Sequence, residues 1–181
     1  MAEDENWLYL NNPEDTVRYV LGEKGVRIVA CIGINPSTAR PNTLDNTLRS
    51  VKRIAQFNGY DGWVMYNVYP QRATDPNHLH SEMDSGLQQK NNMIINQSIQ
   101  DLGIDTIWMA YGDLIESRDY LPYCMICLFE HLKHFDVKWK TIGETIQKGH
   151  PKHPLYKPTQ SRFVDFDMEK YINEKLKLKI T

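Results

Sequence analysis

Little in this sequence offers a ready-made catalytic motif. There is no G-x-x-x-x-G-K-[S/T] phosphate loop, no G-x-G-x-x-G and no G-x-S-x-G. Nucleoside triphosphate hydrolysis, dinucleotide redox chemistry and serine hydrolase chemistry therefore lose their usual support, and no cofactor is expected. No apolar run is long enough to span a bilayer, so no membrane partner is expected. Cysteine is scarce: Cys31, Cys124 and Cys127 are the three in the chain. An odd number, one of them in an apolar strand-like run, fits a reducing, cytoplasmic setting better than a disulfide framework. Neither sign of charge dominates: 21 Lys and Arg face 23 Asp and Glu, for a net charge of -2 and a pI near 6.3. That excludes a global basic field for nucleic acid and leaves only a local patch open. The acidic first residues are unlike a signal or transit peptide.

The chain has 181 residues, enough for one single-core domain. The run Val26-Arg-Ile-Val-Ala-Cys-Ile-Gly-Ile-Asn-Pro36 is apolar and rich in β-branched residues. It has the composition of a strand buried on both faces, and Pro36 must end it. Similar runs at 63–68, 106–110 and 137–142 alternate with stretches of helical periodicity at 45–59, 83–102 and 120–135. That alternation predicts an α/β fold, a three-layer α/β/α arrangement around a mostly parallel central sheet. Residues 1–13 are expected to form a loosely held arm. Residues 16–21 are expected to pair with the 26–34 strand through a turn at 22–25. Asp165 or Asp167 can cap a final helix.

In open α/β sheets, ligands bind beyond the carboxyl ends of the strands. The polar groups expected there after the first strand are Asn35, Ser37, Thr38, Asp45, Asn46 and Thr47. An Asn amide both donates and accepts, so Asn35 can hold a water or read a base edge. The alternative is a turn that spends these side chains on local hydrogen bonds. After the second strand come Asn67 and Arg72. Arg72 can fork onto a phosphate or carboxylate, or simply pair with Asp75 at the surface. The string Gly149-His-Pro-Lys-His-Pro-Leu-Tyr156 presents two imidazoles on a backbone stiffened by proline. His150 or His153 can donate to a substrate oxygen or move a proton, or can be solvated surface groups. Cys124 and Cys127 have C-x-x-C spacing but no second pair, inside an apolar stretch. Packing is favoured there over zinc or redox chemistry, and no metal is expected.

Four separated stretches carry a family resemblance: Gly33-Ile-Asn-Pro-Ser-Thr-Ala39, Asp45-Asn-Thr-Leu-Arg49, Asn67-Val-Tyr-Pro-Gln-Arg-Ala-Thr-Asp-Pro76 and Gly149 to Tyr156. From about Tyr19 to Pro158 the chain resembles an uncharacterised bacterial and phage family, domain of unknown function 1643. A more distant resemblance is to the mismatch-specific branch of the uracil-DNA glycosylase superfamily. Gly33-Ile-Asn35-Pro36 is similar to the branch's first motif, Arg72-Ala-Thr74 to its second, and His153-Pro154 to its third. The chain departs from that branch at Ser37, which stands for Gly, at Ala73, which stands for Pro, and after Pro154, where no Ser-Pro follows.

The resemblance implies a uracil-DNA glycosylase-like fold and a hydrolase acting on the N-glycosidic bond of a nucleobase in DNA or a nucleotide. Asn35 would orient the water, and His153 would polarise a base carbonyl. Arg72 would hold a phosphate or steady the loop. Pro36, Ser37, Thr38, Asp45, Asn67, Thr74, His150 and Tyr156 would bind substrate. The alternative is a non-catalytic module for a nucleotide or modified base.

Overall fold

The computed structural model describes residues 5–179. The four apolar runs form the centre of one sheet as β3 (Ile28–Gly33), β4 (Gly62–Asn67), β5 (Thr106–Met109) and β6 (Lys138–Ile142). All neighbouring pairs among these four strands are parallel. Side chains alternate between two cores: Ala30 and Ile32 join one, Val29 and Cys31 the other. Burial on both faces is why β3, β4 and β5 are nearly continuously apolar, whereas β6 carries Lys138 and Lys140 and is fully buried only at Thr141 and Ile142.

The whole sheet is mixed rather than mostly parallel. Its outer strands are β1 (Trp7–Asn11), β2 (Arg18–Glu23) and β7 (Phe163–Asp165). Among the described residues the order is β1-β2-β4-β3-β5-β6-β7. Three of the six pairings are antiparallel, and they lie at the two flanks. The expected arm at 1–13 is corrected in part: residues 7–11 form β1, and residues 1–4 lie outside the described residues.

The expected hairpin is also corrected. β2 pairs with β1 and β4, and β4 lies between β2 and β3. Gly22 and Gly25 are there for close backbone approach. A Cβ on Gly22 would sit 2.2 Å from the Trp63 carbonyl oxygen, and one on Gly25 would sit 2.4 Å from the Gly62 nitrogen. The glycines that resemble a tight turn mark contact with β4 instead.

The helices are α1 (Asn46–Phe57), α2 (Ser85–Asp101), α3 (Leu121–Leu132) and α4 (Met168–Tyr171). Leu48, Val51, Ile54 and Ala55 turn α1 onto one face of the sheet. Ile95 and Ile99 of α2, Leu121 and Leu128 of α3 and Tyr171 of α4 join the core on the opposite face. Asp45 caps α1 by accepting from the Leu48 N–H at 2.9 Å. Asp167 caps α4, which runs on as a π turn through Leu176, whereas Asp165 belongs to β7 and pairs with Lys140. Cys31 and Cys124 are buried, and the Cys124 thiol lies 3.4 Å from the Met83 sulfur. No described helix is long and apolar enough to cross a membrane.

Gly22→Ala is expected to destabilise the fold by about 1–3 kcal/mol, because the new methyl meets backbone that cannot yield. Gly86→Ala, whose Cβ would meet only the Asp84 carboxylate at 3.5 Å, is expected to be neutral or slightly stabilising. Urea midpoints of the two variants, measured side by side, test this. Equal midpoints would contradict the close approach.

Candidate functional site

The parallel register pairs Gly33 with Asn67, so β3 and β4 end together at one sheet edge. Beyond that pair the two chains stay fastened. Val68 N–H donates to the Gly33 carbonyl at 2.8 Å, Tyr69 N–H to Ile34 at 2.9 Å and Ala73 N–H to Pro36 at 2.9 Å. The Asn35 Nδ2 group donates to the carbonyls of Ala73 at 2.7 Å and Pro36 at 3.1 Å. The Arg72 guanidinium donates to the Ser37 carbonyl, to Ala39 at 3.2 Å and to the Tyr9 hydroxyl at 2.9 Å. It also pairs with Asp15 at 3.0 Å, not with Asp75. The two Nη groups of Arg72 are thereby committed to holding the loop, while its buried Nε has no partner among the described residues.

These fastened loops enclose a cavity of about 480 Å³. Asn35, Ser37 and Thr38 line it from the loop after β3. Asp45, Asn46 and Thr47 line it from the start of α1, with Asn67 at the end of β4 and Thr74 beyond. His153, Leu155 and Tyr156 form a further wall. Pro36 is buried and does not line the cavity. Arg72 lines an adjoining groove that shares Ser37, Thr38, Ala73 and Thr74.

His153 reaches the cavity because the end of β5 holds its loop. Gly112 N–H donates to the Pro151 carbonyl at 2.8 Å, and a Cβ on Gly112 would lie 3.3 Å from the His153 Cβ. Gly112 has a φ of 60°, where a side chain would also strain the backbone. Tyr156 shares that left-handed conformation at a φ of 60° and leaves its ring 83% exposed at the rim.

His150 does not join this site. It is fully buried on the far side of its loop. There Nε2 contacts Glu116 at 2.9 Å and Nδ1 contacts the Tyr171 hydroxyl at 2.8 Å. The His150 hydrogen bond, with help from Lys179 and Lys148, holds the Glu116 carboxyl down at about 2. This network ties the 149–150 segment to α4 and serves as structure.

Within the cavity, some polar groups are spent and others are not. Asn67 is 1% exposed, and neither the oxygen nor the nitrogen of its side-chain amide has a hydrogen-bond partner among the described residues. Its backbone carbonyl accepts from the Asn91 amide at 2.9 Å. Gly33 makes room for it, since a Cβ there would lie 3.2 Å from Asn67 Oδ1. Asn35 uses its nitrogen on backbone, which leaves Oδ1 as the free acceptor. His153 Nδ1 accepts from the Leu155 N–H at 3.2 Å, which puts the ring proton on Nε2 and makes Nε2–H a donor. Burial holds His153 below its ordinary value of 6.5, so the ring is neutral near pH 7.

Arg18 is the site residue that sequence reasoning missed. It lines the cavity from β2 and is 2% exposed. Burial and the neighbouring Arg72 charge lower it to about 10. Its one available signal was a lone cation within the apolar run at 17–21. Met65 and Leu114, which no motif marked, and Leu155 from the 149–156 string add to the apolar lining. No cluster of three or more His, Cys, Asp or Glu suited to a metal occurs among the described residues.

A family model described as protein of unknown function (DUF1643) matches residues 18–155. The chain belongs to this family. The DUF1643 match takes in Arg18, Asn35, Asp45, Asn67 and His153, the polar groups that meet in the cavity. It stops short of β7 and α4. No curated protein matches the chain.

The His153 geometry sets a pH expectation. Its folded pKa is depressed, so the unfolded chain takes up the proton first. Its contribution is present above pH 6.5 and is lost as pH falls toward the folded value. A long-range 1H–15N NMR titration should show the Nε2–H tautomer with a midpoint below 6.5. Asp45→Asn should lower that midpoint further, because the Asp45 charge opposes the effect of burial. An Nδ1–H tautomer or an elevated midpoint would contradict the assignment.

Proposed function

We propose that the cavity binds a nucleobase, and that its sharpest use is hydrolysis of an N-glycosidic bond within a glycosylase-like three-layer fold. The observation that carries the reading is the Asn67 amide. A buried amide with neither donor nor acceptor satisfied costs about 1–3 kcal/mol for each unmet group. A ligand edge that offers an acceptor beside a donor removes that cost, and the amide-like edge of a nucleobase has this pattern. His153 Nε2–H supplies a further donor toward a ring carbonyl, and the exposed Tyr156 ring offers a stacking surface at the rim.

In the hydrolytic form, water attacks the sugar carbon as the bond to the base nitrogen breaks. The base leaves with the bonding electrons. Asn35 Oδ1 would accept a hydrogen bond from the attacking water and orient its oxygen, as the distant glycosylase resemblance implies. The second oxygen of Asp45, whose first caps α1, would take the one proton the water loses, while the other stays on the new sugar hydroxyl and the departed base takes up a proton from solvent. His153 would stabilise the negative charge that develops on the base. Of the two roles open to Arg72, steadying the loop is favoured, because its Nη donors are spent on the loop, on Tyr9 and on Asp15. A binding module without catalysis is favoured by one observation: Asn35, a neutral group, is itself tied to the backbone.

The test uses free bases, nucleosides and DNA containing uracil, hypoxanthine or mismatches, with binding and base release both measured. Asn67→Leu should weaken binding about 10- to 100-fold, the cost of losing one or two hydrogen bonds. It should not lower the melting temperature, since the amide stabilises nothing in the free chain. Asn35→Ala should slow hydrolysis far more than it weakens binding. Binding without released base selects the module. A destabilised Asn67→Leu variant with unchanged ligand affinity would contradict the whole reading.

A further inference from the structure

We infer that the cavity has a second subsite, for a phosphate monoester, between Arg18 and the amino end of α1. Its ligand is then a mononucleotide rather than a free base or nucleoside. The inference rests on the nucleobase reading above and adds the chemical class of the ligand.

The first observation is Arg18 itself. Buried cations are ordinarily paired with a carboxylate, because an unpaired one loses its hydration without compensation. Arg18 forms no ion pair among the described residues. Its Nη1 donates to the Ala39 carbonyl at 3.1 Å, and its Nε has no partner. The cation beside it, Arg72, pairs with Asp15, a carboxylate it shares with Arg40. A guanidinium with unspent donors in a cavity wall matches the forked geometry of phosphate oxygens.

The second observation is independent. The first turn of the 12-residue helix α1 opens on the same cavity through Asn46 and Thr47. Asp45 caps the Leu48 N–H, while the N–H groups of Asn46 and Thr47 have no helical carbonyl within reach. With the positive end of the helix dipole, these donors favour an anion. The Asp45 carboxylate lines the cavity as well and opposes an anion.

Position links the two subsites. β2 lies beside β4, and the Arg18 N–H donates to the Pro70 carbonyl at 3.0 Å, three residues beyond Asn67. Arg18 and Asn67 therefore project from neighbouring strands at one sheet edge, as a base and its phosphate require. A cavity of about 480 Å³ lies within the range of small-molecule sites. A guanidinium only 2% exposed is reached by a terminal phosphate, not by a diester whose chain must leave on both sides.

The test is calorimetry on the wild-type chain with nucleosides, their 5′-monophosphates, inorganic phosphate and a short single-stranded oligodeoxynucleotide. The best monophosphate should bind at least about tenfold more tightly than its nucleoside, the gain of one charge-assisted contact. Arg18→Gln should collapse that ratio, Arg18→Lys should keep part of it, and Asp45→Asn, which preserves the cap, should widen it. If Arg18→Gln does not fold, the wild-type ratio and its decline with salt decide the matter. Equal affinities for nucleoside and monophosphate would overturn the subsite, as would binding of the oligonucleotide alone. If only the base reading is wrong, inorganic phosphate still raises the wild-type melting temperature and no nucleoside binds. If the subsite is wrong and the base reading right, nucleosides bind and phosphate adds nothing.

Discussion

The fastening of two loops to each other is the constraint on which the site depends. β3 and β4 end in register at Gly33 and Asn67, and the chains beyond them continue to exchange hydrogen bonds as far as Ala73. Asn35 and Arg72 complete the seam with side-chain donors aimed at carbonyls across it. Irregular backbone at a sheet edge exposes many polar groups, and here the carbonyls of Gly33, Ile34, Pro36, Ser37, Ala39 and Ala73 accept across the seam. The cavity walls are thus set by the fold. They do not need a ligand to assemble them.

The seam divides the polar residues into two kinds. Asn35 Nδ2 and the Nη groups of Arg72 are consumed in holding the loops, and His150 is consumed in anchoring the C-terminal segment through Glu116 and Tyr171. The Asn67 amide and the Nε groups of Arg18 and Arg72 remain unmatched in a buried setting. A fold this well fastened can tolerate such groups, and unmet polar groups in a cavity are where a ligand gains most from binding. Asn35 contributes to both kinds, with its nitrogen structural and its oxygen free.

Much of the centre of the fold was legible in the sequence, because two-sided burial leaves continuous apolar runs that Pro36 and Pro70 visibly terminate. The flanks were not. β1 and β7 are short, only partly buried strands, and their pairing depends on partners distant in the chain. The mixed character of the sheet follows from those flanks. The β2 pairing was misread because Gly22 and Gly25 serve close contact with β4 and resemble a turn only locally. At the site, strand-end logic pointed to Asn35 and Asn67 because position alone puts them there. It could not separate His153 from His150, since Glu116 and Tyr171, which claim His150, are set by tertiary packing. Arg18 was invisible for the same reason: two of its hydrogen-bond partners, the carbonyls of Ala39 and Pro70, are distant in the sequence.

The most direct measurement is a crystal structure of the chain with a nucleoside bound, refined to a resolution at which the Asn67 amide and nearby waters are defined. The account predicts the base edge against Asn67 Oδ1 and Nδ2, with His153 Nε2 within hydrogen-bond distance of a ring oxygen. A nucleoside seated elsewhere, or an Asn67 amide fully satisfied by protein groups and ordered water while the cavity stays vacant, would contradict it.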